Sequence, residues 1–344
     1  MRITELENSE LTYEKKHEFN VGIDLGFLKN RLNLAADYYR RNNFDLIGVI
    51  NTQGAGGTIA KYANIASMKS SGIELTISSK NMRTKDFSWN TDFIFSKTKN
   101  EITDLKSHAN VLSLISGNGF GREGYPVRGL FSIPFAGLTE DGLPTFINQD
   151  GQKTISSFNF QEYEKLDFLK YEGPTDPTIT GSFGNILTYK NLKLNVFVTY
   201  SFGNVIRLDP VFSNAYSDLD AMPKEFKNRW MKAGDENVTN IPTIVSTRMN
   251  QQYAYLNMAY NAYNYSDVRI ADGGFIRLKE ISLSYDLPAK VINFFRLNKL
   301  QLKLQATNLC LLYADSKLNG QNPEFFRSGG VSTPVPKQFT FTVL

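Results

Sequence analysis

The sequence predicts an all-β protein built as an antiparallel transmembrane β-barrel, and three observations support this prediction. Long segments alternate strictly between apolar and polar residues. The connections between these segments alternate between short and long. The chain also contains no run of about eighteen apolar residues, which a membrane-spanning helix would need. A barrel wall requires only every second strand residue to be apolar, so the ordinary hydrophobic content of 41% fits it.

The segment 178–208 gives the clearest hairpin. After a tight turn at Lys190-Asn191, apolar residues occupy every second position from Leu192 to Phe202, and polar residues fill the others except Phe197. Successive strand side chains point to opposite faces, so each strand has an apolar face and a polar face. About ten residues tilted by about 45° cross an apolar band of about 25 Å. Strands of soluble sandwiches usually stop at about five or six residues.

The alternation recurs along the chain and predicts about nine crossing strands. The further pairs are 17–27 with 32–39, 71–79 with 87–97, and 275–287 with 299–308, and the last strand is 337–344. Between Leu278 and Ile281 the apolar residues change parity. This change predicts a β-bulge near Lys279-Glu280.

The lengths of the connections predict the sidedness of the barrel. Short connections lie at 29–31, 81–86, 190–191 and 288–298, and long segments lie at 47–66, 101–177, 209–268 and 314–334. Outer-membrane barrels have short periplasmic turns and long extracellular loops. We therefore interpret residues 1–344 as a partial outer-membrane β-barrel domain with four long extracellular loops.

Two of the long segments carry signals of local structure. Asp141-Gly142 and Asp150-Gly151 lie between apolar runs and predict tight hairpin turns. Residues 226–235 (FKNRWMKAGD) predict a short helix that ends near Gly234.

Charge, cysteine content and the N-terminal sequence place only a few limits on the kind of protein. The net charge of +4 is slight and gives no indication of nucleic-acid binding. The single cysteine, Cys310, cannot form a disulfide within the chain. The first sixteen residues lack the apolar core of a secretory signal, so we expect the chain to be part of a longer polypeptide.

Several stretches of the sequence form an ordered set: NVGIDLGFLKNRLNLAADYY, NIASMKSSGIELTIS, FAGLTEDGLPTF, GPTDPTITGSFGNILTYKNLKLNVFVTYSFGN, NRWMKAGDENVTNIPTI and ADGGFIRLKEISLSYDLP followed by LQATNL. In this order they resemble the C-terminal barrel portion of the SusC/RagA family of TonB-linked outer-membrane transporters of Bacteroidetes. The resemblance implies the last nine to eleven strands of a 22-stranded barrel, with the plug absent from this sequence. It also implies a SusD-like lipoprotein partner, and TonB-ExbB-ExbD acting through the missing N-terminal part.

No residue set predicts catalysis or a cofactor. The only histidines, His17 and His108, have no localised catalytic partners, and no Cys/His cluster suggests zinc. The TEDG sequence around Asp141 lacks the spaced acidic ligands of a calcium loop, so a turn is the better interpretation. We expect no metal site and no enzyme activity.

The segment 251–269 is the most suggestive loop, because tyrosines alternate there with asparagines. Aromatic rings and amides suit sugar stacking, hydrogen bonding or contact with a lid protein. The alternative is that these tyrosines pack the loop against the barrel rim. The residues are Tyr253, Tyr255, Tyr260, Tyr263 and Tyr265.

The polar faces of the strands predict a lumen lining. These side chains would meet a plug, water and passing solute. They are Asn20, Asp24, Asp37, Glu74, Asp92, Lys193, Asn195, Lys303 and Gln305.

The favoured function is that of a barrel segment of a TonB-dependent importer in the bacterial outer membrane. The resemblance implies that it works with a SusD-like lipoprotein, and that its cargo is an oligosaccharide, a peptide or another large nutrient. A structural or adhesive barrel that transports nothing is one alternative. A soluble extracellular glycan-binding β-protein is the second, and its partition into water without detergent would distinguish it from both barrels.

Overall fold

The computed structural model describes residues 9–51, 60–211, 224–252, 256–294, 297–326 and 336–344. Within them, nine strands form one antiparallel sheet, which confirms the predicted number of crossing strands. The sheet order follows the chain order, so each strand pairs with the next long strand in sequence. The nine strands are β1 (Lys15–Phe27), β2 (Leu32–Asn51), β3 (Ala60–Arg83), β4 (Phe87–Leu105), β10 (Ile179–Tyr189), β11 (Leu192–Phe202), β14 (Phe275–Asp286), β15 (Gln301–Ala314) and β16 (Gln338–Val343).

Short elements between the long strands form a separate layer beside the sheet. The strands of this layer are β5 (Gly129–Ser132), β6 (Phe135–Leu138), β7 (Pro144–Ile147), β8 (Lys153–Thr154), β9 (Lys170–Pro174), β12 (Val205–Arg207) and β13 (Ile270–Asp272). Its helices are α1 (Val111–Ile115), α2 (Thr247–Gln252) and α3 (Leu256–Asn264), and α4 (Ala289–Phe294) lies between β14 and β15. We call the structure formed by the described parts of 106–178 and 203–274 the loop layer.

The tight turns form where the sequence predicts them. Leu28, Lys29 and Asn30 have positive φ angles and connect β1 to β2, and Lys190 has a φ of 53° between β10 and β11. In the loop layer, Gly142 and Gly151 have φ angles of 77° and 73°. These two glycines connect β6 to β7 and β7 to β8, which confirms both predicted Asp-Gly turns.

The sheet has the surface distribution of a membrane wall. On one face large hydrophobic side chains are exposed, among them Phe19, Ile73, Phe183, Leu304 and Phe341. On the other face small serines are buried, namely Ser182, Ser201, Ser282 and Ser284. A soluble protein would bury the first set, so this distribution suits a lipid-facing surface.

Polar side chains on the apolar face bond to one another. Asn185 accepts hydrogen bonds from the indole Nε1 of Trp89 and the hydroxyl of Thr91, both at 2.8 Å. Because lipid offers no hydrogen-bonding partner, this mutual pairing lowers the cost of exposing these groups.

The predicted β-bulge lies in β14. Phe197 pairs with Glu280 and Val198 pairs with Leu278, so Lys279 is the extra residue. The bulge returns Ile281 to the apolar face after the parity change.

The structure corrects two boundaries and one element. Strands β2 and β3 pair as far as Asn51 and Ala60, so the long segment at 47–66 is mostly strand, and β4 continues beyond residue 101. Strand pairing thus continues beyond the predicted ends, through β-branched and aromatic residues such as Ile47, Val49 and Tyr62 that favour strands. The predicted helix at 226–235 is wrong: 3-10 helices occupy Lys224–Asn228 and Asp235–Asn237, with Gly234 at a φ of 100° directly before the second.

The loop layer has its own hydrophobic core. Leu114, Ile115, Phe131, Ile133 and Phe146 are fully buried there. Helix α3 adds Ala262 and Tyr263 to this core. No helix among the described residues is long and apolar enough to cross a membrane.

Candidate functional site

The strand register places all nine predicted lumen residues on one face of the sheet. Asp37 pairs with Glu74 across β2 and β3, and Asp92 pairs with Ser78 across β3 and β4. Lys303 and Gln305 pair with Ser284 and Ser282, which lie opposite Lys193 and Asn195 of β11. Asn20 and Asp24 of β1 continue the same face through Tyr39 and Ala35.

Among the predicted lumen residues, the acidic ones lie on β1 to β4 and the basic ones lie on β11 and β15. Two of the predicted residues form hydrogen bonds on the sheet: Asp92 accepts from Ser78 at 2.7 Å, and the Asn195 amide donates to Glu280 at 3.2 Å. A polar surface of both signs suits a hydrated passage or a protein contact. That this polar face lines the barrel lumen stays a prediction.

The tyrosines of the segment 251–269 differ in how deeply they are buried. Tyr253 and Tyr255 lie outside the described residues. Tyr260 and Tyr263 are each 2% exposed, and the Tyr260 hydroxyl donates to the Thr243 carbonyl at 2.6 Å. Burial raises the pKa of Tyr263 to about 12. Tyr265 is half-buried, 5.8 Å from the Arg207 guanidinium.

For Tyr260 and Tyr263 the structure corrects the idea of direct cargo stacking. Both lie on helix α3, three residues apart, and spacing of this kind places side chains on one face of a helix. That face packs into the hydrophobic clusters of the loop layer, which is the packing alternative. Sequence reasoning missed this helix, although the spacing of three between Tyr260 and Tyr263 is compatible with one helical face.

Two buried arginines that sequence reasoning missed hold the loop layer together. Arg207 donates to the carbonyls of Ser266 and Phe131 at 3.0 and 2.6 Å, and to the Ser132 hydroxyl at 3.0 Å. Arg269 forms a 2.7 Å ion pair with Glu225. Burial lowers the pKa of Arg207 to about 10, and Glu172 opposes that shift. The Arg207 contacts thus connect β12, which follows β11, to β5, which precedes β10.

A second charged group lies beside Arg207. The Glu172 side chain is 10% exposed, and Lys170 lies 3.7 Å from its Oε1. Lys170 also contacts Asp267 at 3.2 Å. Burial raises the pKa of Glu172, and Lys170 and Ser132 partly offset that effect. This carboxyl is therefore a titratable element of the loop layer.

A groove lies where the loop layer meets the ends of β4 and β10. Its volume is about 430 Å³. Tyr125 and Tyr171 line it, with ring centroids 4.9 Å apart, together with three prolines and the polar ends of the two strands. Aromatic surfaces next to polar groups are typical of sites for sugars and peptides. The prolines and tyrosines are scattered over about fifty residues, so no local pattern in the sequence indicates this groove.

Nothing in the described part of the chain forms a metal centre: no group of three or more His, Cys, Asp or Glu side chains converges there. Asp141 occupies the turn between β6 and β7, in agreement with the predicted turn.

Comparison with known proteins gives a consistent family relationship. No protein-family model matches the chain. It is 25% identical to TonB-dependent receptor P3 of Formosa agariphila over 94% of this chain and 32% of that protein. It is also 25% identical to TonB-dependent receptor SusC of Bacteroides thetaiotaomicron, over 97% of this chain and 32% of that protein. The chain thus spans about a third of the length of the curated relatives it matches.

Solved structures show the same fold. The RagAB peptide transporter matches with a TM-score of 0.72 and 23% identity, over 94% of this chain and 34% of that chain. The RagAB peptide importer in its closed-closed state matches with a TM-score of 0.74 and 24% identity, over 99% of this chain and 36% of that chain. The predicted resemblance to TonB-dependent receptors of the SusC/RagA type is confirmed over most of this chain. The predicted fold class, an all-β transmembrane barrel, is confirmed as well.

Proposed function

We propose that this chain supplies part of the wall and extracellular loop layer of a TonB-dependent outer-membrane importer. The observation that carries the proposal is the two-faced sheet of nine strands, which is exposed and mainly apolar on one side and mainly polar on the other. Such a wall separates lipid from a hydrated interior. No bond is made or broken by these residues, so their contribution is to enclose and guide a solute.

The proposed partners follow from the family. A SusD-like lipoprotein would cover the loop layer from outside, and TonB-ExbB-ExbD would act through a plug that belongs to the remainder of the receptor. The proposed cargo is an oligosaccharide or a peptide too large for diffusion pores. The groove lined by Tyr125 and Tyr171 is the proposed contact surface for cargo or lipoprotein, and Tyr265, which lines a separate cavity beside Arg207, is a second candidate contact.

Uptake in whole cells tests this function. We expect a strain without the complete receptor to lose uptake of one fluorescent oligosaccharide or peptide pool, and collapse of the proton-motive force to abolish the same uptake in the parent strain. Recovery of a lipoprotein with the affinity-tagged receptor would support the lid.

Two results would favour the alternatives. Unchanged uptake with reduced surface adhesion would indicate a barrel that binds without transporting. Recovery of the complete receptor from the aqueous phase without detergent would indicate a soluble glycan-binding protein and would exclude both barrel functions.

A further inference from the structure

Four cations converge on the outer face of the sheet, on the side of the long connections. They are Arg40 of β2, Lys69 of β3, and Lys97 and Lys99 of β4. The register fixes their arrangement: Arg40 and Lys99 both pair with Ser71, so the three residues form one row across three strands. We call these four residues the outer cationic patch.

The patch lies directly above the lipid-facing band. Lys97 pairs with Ile73 on one side and with Ile179 on the other, and Tyr38 and Phe202 extend the same row. Below this row the same face carries Leu75, Phe95 and Phe93. Lys97 thus lies in the row of Ile73, Arg40 and Lys99 lie one row of about 7 Å above it, and Lys69 lies two rows above it, at the upper margin of the apolar surface. In a membrane that is the depth of lipid headgroups.

The patch has an excess of positive charge. Among the described residues, Glu101 is the one carboxylate that forms ion pairs with the patch, with Lys69 at 2.8 Å and with Lys99 at 3.9 Å. Among the described residues, neither Arg40 nor Lys97 forms an ion pair. Four cations against one carboxylate leave a local charge of about +3, which attracts an anion.

The surface between these cations is concave. The small side chain of Ser71 leaves a cavity of about 230 Å³, lined also by Tyr38, Arg40, Lys69, Lys99 and Glu101. A guanidinium and ammonium groups around a small depression suit a phosphate, since arginine binds phosphate oxygens through two parallel hydrogen bonds. Tyr38, 42% exposed at its lower margin, offers an amphipathic ring at the interface.

We propose that the outer cationic patch binds the phosphate-bearing headgroup of an outer-leaflet lipid. The position of the patch favours a lipid over a free phosphate. A lipid would occupy both the cationic patch and the apolar surface below it, whereas a free phosphate needs no apolar surface. This site depends on the outer-membrane location of the receptor and is independent of the proposed transport.

The test measures binding of fluorescent lipid A to the complete receptor in a nonionic detergent. We expect the wild type to bind lipid A and to bind the same lipid weakly once its phosphates have been removed. The double variant Arg40→Ala/Lys99→Ala should bind lipid A more weakly by about fivefold for each cation removed. Arg40→Lys, which keeps the charge, should retain most of the affinity.

A matched control removes two exposed lysines at the opposite, short-turn end of the sheet. Lys80→Ala/Lys85→Ala carries the same change of net charge, and we expect it to bind lipid A as the wild type does. Equal binding by the patch variant and this control would overturn the proposal.

Three further outcomes decide the nature of the ligand. Equal wild-type binding of lipid A before and after removal of the phosphates would overturn the proposal even if the patch variant failed to fold. Displacement of lipid A by millimolar inorganic phosphate would assign the site to a free anion, against a lipid. Cross-linking of the patch to a neighbouring outer-membrane protein, with no difference between the two lipids, would assign it to a protein contact and also overturn the proposal.

Discussion

At the scale of single residues, the loop layer depends on a few buried charges. Arg207 makes three hydrogen bonds to main-chain and side-chain oxygens from two different segments. Loss of such a donor would leave buried acceptors without partners, at a cost of about 1–3 kcal/mol for each group. Arg207 and Arg269 therefore determine how the segments flanking β10 and β11 are held together.

The buried carboxyl of Glu172 should make the stability of the loop layer depend on pH. Its pKa is raised in the folded state, so the carboxyl is neutral there at pH values where it would be ionised in the unfolded chain. Its stabilising contribution is full below its ordinary value of 4.5 and is lost as pH rises through the folded value. We expect Glu172→Gln to raise resistance of the loop layer to proteolysis at neutral pH and to reduce its pH dependence.

Limited proteolysis of the complete receptor across this pH range is the measurement. Glu164→Gln, at an exposed acidic position of the same layer, is the control and should leave the pH profile unchanged. If the pH profile of Glu172→Gln matched that of the wild type, the Glu172 carboxyl would contribute nothing to the pH dependence of stability.

At the scale of elements, close contact between β4, β10 and β11 depends on glycine. A side chain on Gly181 would collide with the Tyr200 ring and with the Ile94 carbonyl. The Tyr200 hydroxyl donates to that same carbonyl at 2.8 Å, so the ring lies across the glycine. At Gly184 an added methyl group would meet Phe197 at 3.4 Å, an ordinary contact.

We therefore expect different results from two alanine substitutions three residues apart. Gly181→Ala should destabilise the folded barrel by about 1–3 kcal/mol, the usual cost of overpacking, whereas Gly184→Ala should be close to neutral. The temperature at which the complete receptor loses its folded electrophoretic mobility measures both. Equal losses for the two variants would contradict this account of the contact.

The sequence predicted these strands well and the loop layer poorly, for a physical reason. A strand between lipid and water must alternate in polarity, so Leu192 to Phe202 reveal their structure locally. Residues of the loop layer fold through distant partners: Tyr263 packs 5.9 Å from Phe135, and Arg207 bonds to Phe131. No local pattern records such contacts. The groove lined by Tyr125 and Tyr171 and the buried packing of Tyr260 and Tyr263 both depend on such distant contacts.

At the scale of the whole molecule, residues 1–344 leave two sheet edges without a described neighbour. Strands β1 and β16 each pair on one side alone within the described chain. In lipid, each unsatisfied backbone group costs several kcal/mol, and in water an exposed edge promotes association.

We predict that residues 1–344 expressed alone will aggregate, whereas the complete receptor will give a folded species that resists heating in detergent. Size-exclusion chromatography with a heat-modifiability assay distinguishes the two. A monodisperse, heat-resistant monomer of residues 1–344 would refute the prediction.

The unequal lengths of the strands have a consequence for the shape of the entrance. Strand β2 begins beside a short turn and has 20 residues, so it rises about 45 Å at a tilt of about 45°, roughly 20 Å beyond an apolar band of about 25 Å. Strands β10 and β11 have 11 residues each and end near the top of that band. The wall formed by these strands is therefore uneven, taller at β2 and β3 than at β10 and β11. The connections that form the loop layer start from the shorter strands, so the long-connection end of the wall consists of packed loops there and of paired strands at β2 and β3.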